Sequence, residues 1–286
     1  MLLASKLKVV FLAAAAFAIP LAMTRALAGA NREIAAIQDQ PALVELQPGT
    51  LRYRSAGDFT RAGKPAAASL VTIRIAQPIT IMKQQVSSAD YQRCVSEGAC
   101  RALPTDLAIA ADRPAVMVSW RDADAYATWL SRRTGYTYRL PTDEEWAYAA
   151  GSRYQDDGLS VDDSDPSKRW IARYEREADL RSSEIDGAVR PIGAFGANEN
   201  GLLDVAGNVW EWTNTCFVRT AIDAAGKVLS TMANCGVRVV AGQHRAYVTD
   251  FIRDARAGGC AAGIPPSNLG FRLVRESTQF MRWFGL

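Results

Sequence analysis

The chain has little histidine and little cysteine. Among its 286 residues there is one histidine, His244, and there are five cysteines. Transition-metal centres in proteins are assembled from several histidine and cysteine side chains. With one histidine and few free thiols, this sequence offers no familiar transition-metal site.

Long apolar runs are also scarce. The one that stands out, Val9 to Met23, is broken by a single proline, follows Lys6 and Lys8, and precedes the small residues Ala26-Leu27-Ala28. A charged start, a short apolar run and a small-x-small sequence are typical of a secretory signal peptide. We therefore predict cleavage after Ala28 and a periplasmic location. The alternative, a retained membrane anchor, would require about 20 uninterrupted apolar residues.

Export removes the excess of positive charge. The whole chain has 33 Lys and Arg against 30 Asp and Glu, and residues 1–28 contain three of the basic residues and none of the acidic ones. The mature chain is thus expected to be neutral, which gives no reason to expect a nucleic-acid partner. Because no second apolar segment is long enough to span a bilayer, we expect no stable membrane anchor after cleavage.

Five cysteines in an oxidising compartment favour disulfides with one thiol left over. Cys94 and Cys100 stand six positions apart, and Cys216 and Cys235 would close a longer polar loop. This pairing leaves Cys260 free or paired elsewhere, and other connectivities stay open. We expect such bridges to hold a loop-rich domain together rather than to take part in redox chemistry.

Local patterns predict helices and strands in a mixed order. Capping residues and apolar spacing indicate helices, whereas apolar and polar alternation indicates strands. The helices are expected at Ser87–Cys94, from Ser119 to Gly135 and at Asp143–Ala150, and the clearest strands at Leu70–Ile75 and Ile79–Met82. This mixture, with long polar loops between, predicts a single α+β domain.

The segment Gly201–Trp212 contains an acid between two tryptophans, directly after a Gly-Asn pair. A buried strand would not need that acid, so we interpret the segment as a loop. Its Asp204 and Glu211 carboxylates could gather around a hard cation. The alternative is that these carboxylates accept hydrogen bonds from tight-turn amides.

Several motifs in the same order resemble the formylglycine-generating-enzyme (sulfatase-modifying-factor) family. They are Arg113–Trp120, Arg139–Trp146, Pro191–Phe195, Gly201–Trp212 and Ser267–Arg272. The resemblance implies this family's variant of the C-type-lectin-like fold, an α+β single domain rich in loops. It divides the chain into a signal peptide (1–28), a leader (29–42), the family domain (43–276) and a C-terminal tail (277–286).

The resemblance also implies a structural calcium ion. Its ligands would be the side chains of Asp204 and Glu211 and the backbone carbonyls of Gly207 and Val209. Arg272 is expected to pair with a buried acid rather than to meet a substrate.

The family's copper site is not matched. Formylglycine-generating enzymes bind copper with two cysteines, and Ala246 and Phe251 stand at the aligned positions. Neither side chain can bind copper, so formylglycine formation from cysteine is not expected. The iron-dependent branch of the family uses three histidines from an added domain, and this chain has only His244. We therefore expect neither copper nor iron.

The aligned segment still carries groups that could act in catalysis. His244 could carry a proton, Asp250 could act as a base, and Arg245 and Arg253 could hold a carboxylate or an enolate-like oxygen. The alternative is a structural histidine beside a series of surface ion pairs.

Exported family members without the copper cysteines act in two contexts: maturation of the pyoverdine chromophore, and assistance to copper nitrite reductase. By resemblance we expect a periplasmic, non-copper factor for the oxidative maturation of a peptide or protein. Whether the chain is an enzyme stays open. The alternative is a catalytically inactive module that binds another exported protein.

Overall fold

The computed structural model describes residues 40–104, 110–155, 171–172, 175, 188–255 and 268–276. The predicted signal peptide, nearly all of the leader, the C-terminal tail and Cys260 lie outside the described residues. By compactness the chain divides into two units. The smaller unit, Met1–Gln40 with Arg133–Gly135, contributes only Gln40 and the end of one helix to the described part. The larger unit, Pro41–Arg132 with Tyr136–Leu286, contains the remaining described residues.

Besides one 3-10 helix (Gly151–Arg153), three α-helices and twelve strands have their bounds within the described residues. In chain order they are β1 (Leu43–Leu46), β2 (Gly49–Arg54), β3 (Asp58–Arg61), β4 (Lys64–Ala66), β5 (Leu70–Ile75), β6 (Ile79–Met82), α1 (Ser88–Ser96), α2 (Trp120–Thr134), β7 (Tyr138–Arg139), α3 (Asp143–Ala150), β8 (Trp210–Ile222), β9 (Val228–Ala241), β10 (Arg245–Thr249), β11 (Leu269–Gly270) and β12 (Val274–Arg275). The longest of these helices, α2, has 15 residues. None of the described helices has the length and apolarity needed to cross a bilayer.

Side-chain caps lie at the starts of helices α1 and α3. The Ser87 hydroxyl accepts a hydrogen bond from the backbone N–H of Asp90 at the start of α1. Thr142 and Glu145 form a reciprocal capping box at the start of α3. Such caps satisfy backbone N–H groups that lack a partner within the helix. The three helix predictions and the two strand predictions are confirmed.

The strands form three sheets. Four strands pair in the order β1-β6-β12-β7, and a larger sheet has the order β10-β9-β8-β3-β4, with β11 alongside β8. Strands β2 and β5 make a separate antiparallel pair. This mixed architecture confirms the α+β prediction. The long β8–β9 ladder brings the segment before β10 next to the Trp-Glu-Trp sequence, because Glu211 pairs with Ala241 in it.

The interpretation of Gly201–Trp212 as a loop is wrong for the last three residues of that segment. Trp210, Glu211 and Trp212 are the first residues of β8, and all three are buried. A strand can hold an acid in the core only when that acid has its own hydrogen-bond partners. Those partners come from residues distant in sequence, as the next subsection shows, and therefore the local pattern did not reveal them.

Both expected disulfides are present. Cys94 is joined to Cys100, and Cys216 is joined to Cys235. The first links α1 to the residues just after it, and both of its cysteines are buried. The second links β8 to β9.

One glycine between β2 and β3 has a conformation and surroundings that exclude a side chain. Gly57 has φ +122°, and a Cβ atom built on it would lie 2.4 Å from the carbonyl oxygen of Val218. Its N–H donates to the hydroxyl of Tyr247 on β10 at 2.7 Å. Gly57 therefore keeps β8 and β10 close to the β2–β3 turn.

We predict that Gly57→Ala destabilises the fold by about 2–5 kcal/mol, since it adds backbone strain to a steric clash. Gly63→Ala is the matched control, because Gly63 also has a positive φ but nothing lies within 4 Å of the place that a Cβ atom would take there. It should cost only about 1–2 kcal/mol. Urea denaturation of both variants measures the difference, and equal losses would contradict the prediction.

Candidate functional site

A buried ion pair occupies the place where the sequence predicted a cation. Arg272 donates from Nε and Nη2 to the two carboxylate oxygens of Glu211, at 2.6 and 2.7 Å. Both side chains are completely buried. A charge-assisted pair of hydrogen bonds in this geometry is among the strongest contacts between side chains. The prediction that Arg272 pairs with a buried acid is confirmed.

Neutral donors complete the surroundings of Glu211. Trp146 on α3 donates its indole N–H to Oε2, and Gln85 donates its amide N–H to Oε1, both at 2.9 Å. The remaining donor capacity of Arg272 is directed at the backbone carbonyls of Leu203 and Lys83. Four separate segments of the chain thus converge on this pair.

Asp204 has a different environment. Its carboxylate accepts the backbone N–H groups of Gly193 and Phe195, at 2.5 and 2.8 Å. Its backbone lies in the left-handed region, with φ 56°. Asp204 therefore fixes a tight turn, which is the alternative that its sequence position left open.

These residues do not fit a calcium ion in this arrangement. Both oxygens of Glu211 face the Arg272 guanidinium, so a divalent cation would have to displace a positive charge that is already paired. The Gly207 carbonyl accepts the N–H of Val209 at 2.7 Å. Among the described residues no group of three or more His, Cys, Asp or Glu side chains is placed to hold a metal. In this arrangement the counter-charge of Glu211 is Arg272.

His244 is buried against a tryptophan. Its ring lies edge-on to Trp210, with 5.2 Å between the ring centroids. Its Nδ1 is 3.1 Å from the backbone carbonyl of Arg245, and its own carbonyl accepts the indole N–H of Trp210. Only 8% of the residue is exposed. These contacts hold His244 against β8, the strand that begins with Trp210.

Arg245 belongs to a buried network with Asp143. The Arg245 Nη2 lies 2.9 Å from Asp143 Oδ2, and the Tyr53 hydroxyl donates to the same oxygen at 2.5 Å. Arg245 also donates to the hydroxyl of Tyr154. Burial, and then the neighbouring Asp143 charge, raise the pKa of Tyr53 far above its ordinary value. Tyr53 therefore stays protonated and acts as a hydrogen-bond donor.

Asp250 and Arg253 each pair with helix α2. Arg121 donates to both oxygens of Asp250, at 3.0 and 3.2 Å. Arg253 donates to both oxygens of Asp122, at 2.7 and 2.9 Å. Burial alone would raise the pKa of Asp122, but the hydrogen bonds from Arg253 and Ser119 outweigh it and hold that pKa below its ordinary value.

The four candidate catalytic residues are thus distributed over separate contacts. Arg245 forms an ion pair with α3, whereas Asp250 and Arg253 each form an ion pair with α2. His244 packs on Trp210. The alternative of a structural histidine beside a series of ion pairs is close to the observed structure. The partners in these pairs, however, lie on α2 and α3 rather than in the same segment. Asp143, Arg121 and Tyr53 were missed because no local pattern connects them to the segment that follows β9.

The two positions aligned with the copper cysteines differ in exposure. Ala246 is completely buried in β10, whereas Phe251, in the turn after β10, is 59% exposed. The Arg121 guanidinium lies over the Phe251 ring at 6.0 Å from its centroid. We call the group Arg121, Asp250 and Phe251 the Phe251 surface. It combines an aromatic ring with an ion pair that is open to solvent on its arginine side.

The fold and these contacts define a loop-rich α+β domain whose central acid is neutralised by an internal arginine. The Sulfatase-modifying factor enzyme 1-like domain matches residues 30–277. The chain belongs to this family, which confirms the resemblance drawn from its motifs.

Several relatives are formylglycine-generating enzymes or their inactive paralogues. The enzyme of Mycobacterium tuberculosis is 38% identical over 134 residues, which cover 42% of this chain and 40% of that protein. The enzyme of Streptomyces coelicolor is 32% identical over 179 residues, covering 58% of this chain and 54% of that protein. The "Inactive C-alpha-formylglycine-generating enzyme 2" of Bos taurus is 32% identical over 177 residues, covering 54% and 53%. The chain spans about half the length of these relatives.

Among solved structures, PvdO from Pseudomonas aeruginosa has a similar fold. The two structures superpose with a TM-score of 0.54 at 21% sequence identity, and the match covers 84% of this chain and 95% of PvdO. At this identity the similarity concerns the fold, which agrees with the family assignment.

We predict that Arg272→Met destabilises the protein by about 3–5 kcal/mol, because it leaves the Glu211 carboxylate buried without its counter-charge. Arg121→Met is the matched control: it breaks a pair whose arginine side chain is 65% exposed and should cost about 0–1 kcal/mol. Chemical denaturation provides both values. A loss for Arg272→Met no larger than that for Arg121→Met would show that the buried pair is not central to stability.

We also predict that the mature protein has the same melting temperature in millimolar calcium as in the presence of a chelator. A ligand that binds only the native state raises the melting temperature, and the Asp204 and Glu211 oxygens are already held by protein donors. Differential scanning calorimetry with and without calcium tests this. A rise that Asp204→Ala abolishes would instead establish a calcium site at this position.

Proposed function

We propose that this protein is a periplasmic maturation factor that works without copper and binds an exported peptide or protein through the Phe251 surface. The observation that carries the proposal is the exposure of Phe251 beside the Arg121–Asp250 pair. Exposed aromatic rings and arginines are the residue types that most often dominate binding energy at protein interfaces. This surface lies on the segment that carries the copper cysteines in the enzymes of the family.

The surroundings of this segment favour binding over cysteine oxidation. Ala246 provides no thiol, and it is buried where a substrate cysteine would have to be activated. The charged candidates Arg245, Asp250 and Arg253 are held in ion pairs that stabilise the domain. Relatives of similar identity include inactive members of the family, so this fold is compatible with loss of the copper reaction.

Two partner classes follow from the resemblance to exported members without copper cysteines. One is a siderophore peptide whose dihydro-chromophore is oxidised, and the other is an exported copper nitrite reductase. The predicted signal peptide would deliver the chain to the compartment in which both occur.

A second candidate function is oxidation of an electron-rich peptide ring without a metal. The feature that favours it is the buried group of Tyr53, Asp143 and Arg245 directly beside His244. A histidine held next to such a network could accept a proton as the ring loses electrons to oxygen. Oxygen consumption on addition of the dihydro-chromophore peptide, lost in His244→Gln, would distinguish this function from binding alone.

We predict that Phe251→Ala weakens binding of the partner by at least about tenfold, which corresponds to roughly 1.4 kcal/mol or more at an interface anchor. The probes are a purified exported copper nitrite reductase and a dihydro-chromophore siderophore peptide, each titrated calorimetrically against the mature chain. Val71→Ala is the matched control, since Val71 is 44% exposed on β5 and lies outside the Phe251 surface.

One probe should bind, and only Phe251→Ala should weaken it. Absence of binding to both probes would contradict the proposed partners. Equal losses for Phe251→Ala and Val71→Ala would contradict the proposed surface.

A further inference from the structure

The two disulfides of this chain have different surroundings. Cys94 and Cys100 are both buried, whereas Cys235 is exposed and Cys216 half-buried. The Cys216–Cys235 bridge joins β8 to β9 where the ladder between them is irregular, with register shifts on both sides of Cys216. Cys235 is therefore the residue of this bridge that is exposed to solvent.

A guanidinium group is fixed beside the sulfur of Cys216. The Arg238 Nη1 lies 3.3 Å from Cys216 Sγ. The same nitrogen donates to the backbone carbonyl of Asn214 at 2.8 Å, and the guanidinium lies over the Trp120 ring, 4.0 Å from its centroid. Two contacts besides the sulfur thus determine the position of this positive charge.

A positive charge next to a sulfur makes that sulfur a better leaving group. Thiol–disulfide exchange proceeds faster when the departing thiol has a lower pKa, and a neighbouring arginine lowers the pKa of a thiol. The arrangement is asymmetric, because the exposed residue is Cys235 and the sulfur beside the guanidinium belongs to Cys216. Attack at Cys235 with departure of Cys216 is the direction that this geometry favours.

We propose that Cys216–Cys235 is an exchangeable disulfide that oxidises thiol pairs of a partner peptide or protein. A partner thiolate attacks Cys235 Sγ, a mixed disulfide forms, and the Cys216–Cys235 bond breaks with its electron pair leaving on Cys216. The second thiolate of the partner attacks the mixed disulfide and releases the Cys235 thiolate. The partner gains one disulfide and loses two electrons, and this chain ends as a dithiol.

The strand that carries Cys235 can also accommodate an extended peptide. Within the described part of the chain, β9 pairs with β10 only from Val237 onward, so the edge formed by Val228–Cys235 has hydrogen-bonded strand neighbours on the β8 side alone. Such an edge offers backbone N–H and C=O groups to an added strand. A cysteine-containing segment paired there would bring its thiol close to Cys235.

This inference goes beyond the proposed function and does not depend on it. It rests on Cys216, Cys235 and Arg238, none of which belongs to the Phe251 surface. The test uses small thiols and needs no partner, so failure of the partner-binding experiment and failure of this one are distinguishable.

The experiment treats the folded mature protein with glutathione or dithiothreitol, quenches by alkylation and locates reduced sites by peptide mass spectrometry, which separates them from Cys260. We expect Cys216–Cys235 to be reduced at least about tenfold faster than Cys94–Cys100, and the first glutathione adduct to form on Cys235. Equal reduction rates of the two bridges, or a first adduct on Cys216, would overturn the proposal without any variant.

Variants test the role of the guanidinium. Arg238→Met should slow reduction of Cys216–Cys235 roughly threefold, because the departing thiolate loses its neighbouring positive charge, and Arg238→Lys should recover part of the rate. Arg219→Met is the matched control, since Arg219 is an exposed arginine of β8 whose guanidinium lies near Asp58 and Phe217. The rate at Cys94–Cys100 serves as the internal measure of folding in every variant. Equal rates in Arg238→Met and Arg219→Met would overturn the assigned role of Arg238.

Discussion

The completely buried pair of Glu211 and Arg272 is the interaction on which the rest of the structure depends. It joins the start of β8, the residues after β11, helix α3 through Trp146 and the loop that contains Gln85. Removing two charges from water is costly, and the cost is offset only when the geometry is close and the remaining donors and acceptors are satisfied. Here both carboxylate oxygens have two donors each. The ordered packing of four distant segments is therefore a condition for burying this pair.

The same principle explains why the segment after β9 no longer looks like an active site. Its charged residues are neutralised by partners on other elements: Arg245 by Asp143, Asp250 by Arg121, and Arg253 by Asp122. Charges held in this way contribute to the framework and are not available to bind a metal or to move freely toward a substrate. What the segment presents to solvent is the Phe251 ring. The region that the resemblance aligned with a copper site thus combines a rigid interior with a surface suited to contact.

Local features of the sequence were sufficient for the helices. Ser87, Thr142 and Glu145 make their capping contacts within one helical turn, so these contacts are local in sequence. The family motifs were sufficient for the overall fold. Glu211 was misinterpreted because its counter-charge, Arg272, is 61 positions away in the chain, and a single sequence does not show which distant residues meet. The Asp143–Arg245 network was missed for the same reason. Non-local electrostatic pairing is what sequence reasoning could not supply here.

The two disulfides show how environment, rather than spacing, separates a structural role from a chemical one. Both were interpreted from sequence as staples, since cysteine spacing indicates only whether a loop can close. A bridge with both sulfurs in the core is protected from attacking thiolates, and Cys94–Cys100 has that protection. In the Cys216–Cys235 bridge, Cys235 is an exposed residue, and Arg238 lies against the sulfur of Cys216, the one that would depart. Exchange chemistry needs a thiolate-stabilising charge and access for the attacking thiol, not a metal. A family member without the copper cysteines therefore still has a route to oxidise thiols, on a different strand and with a different partner geometry.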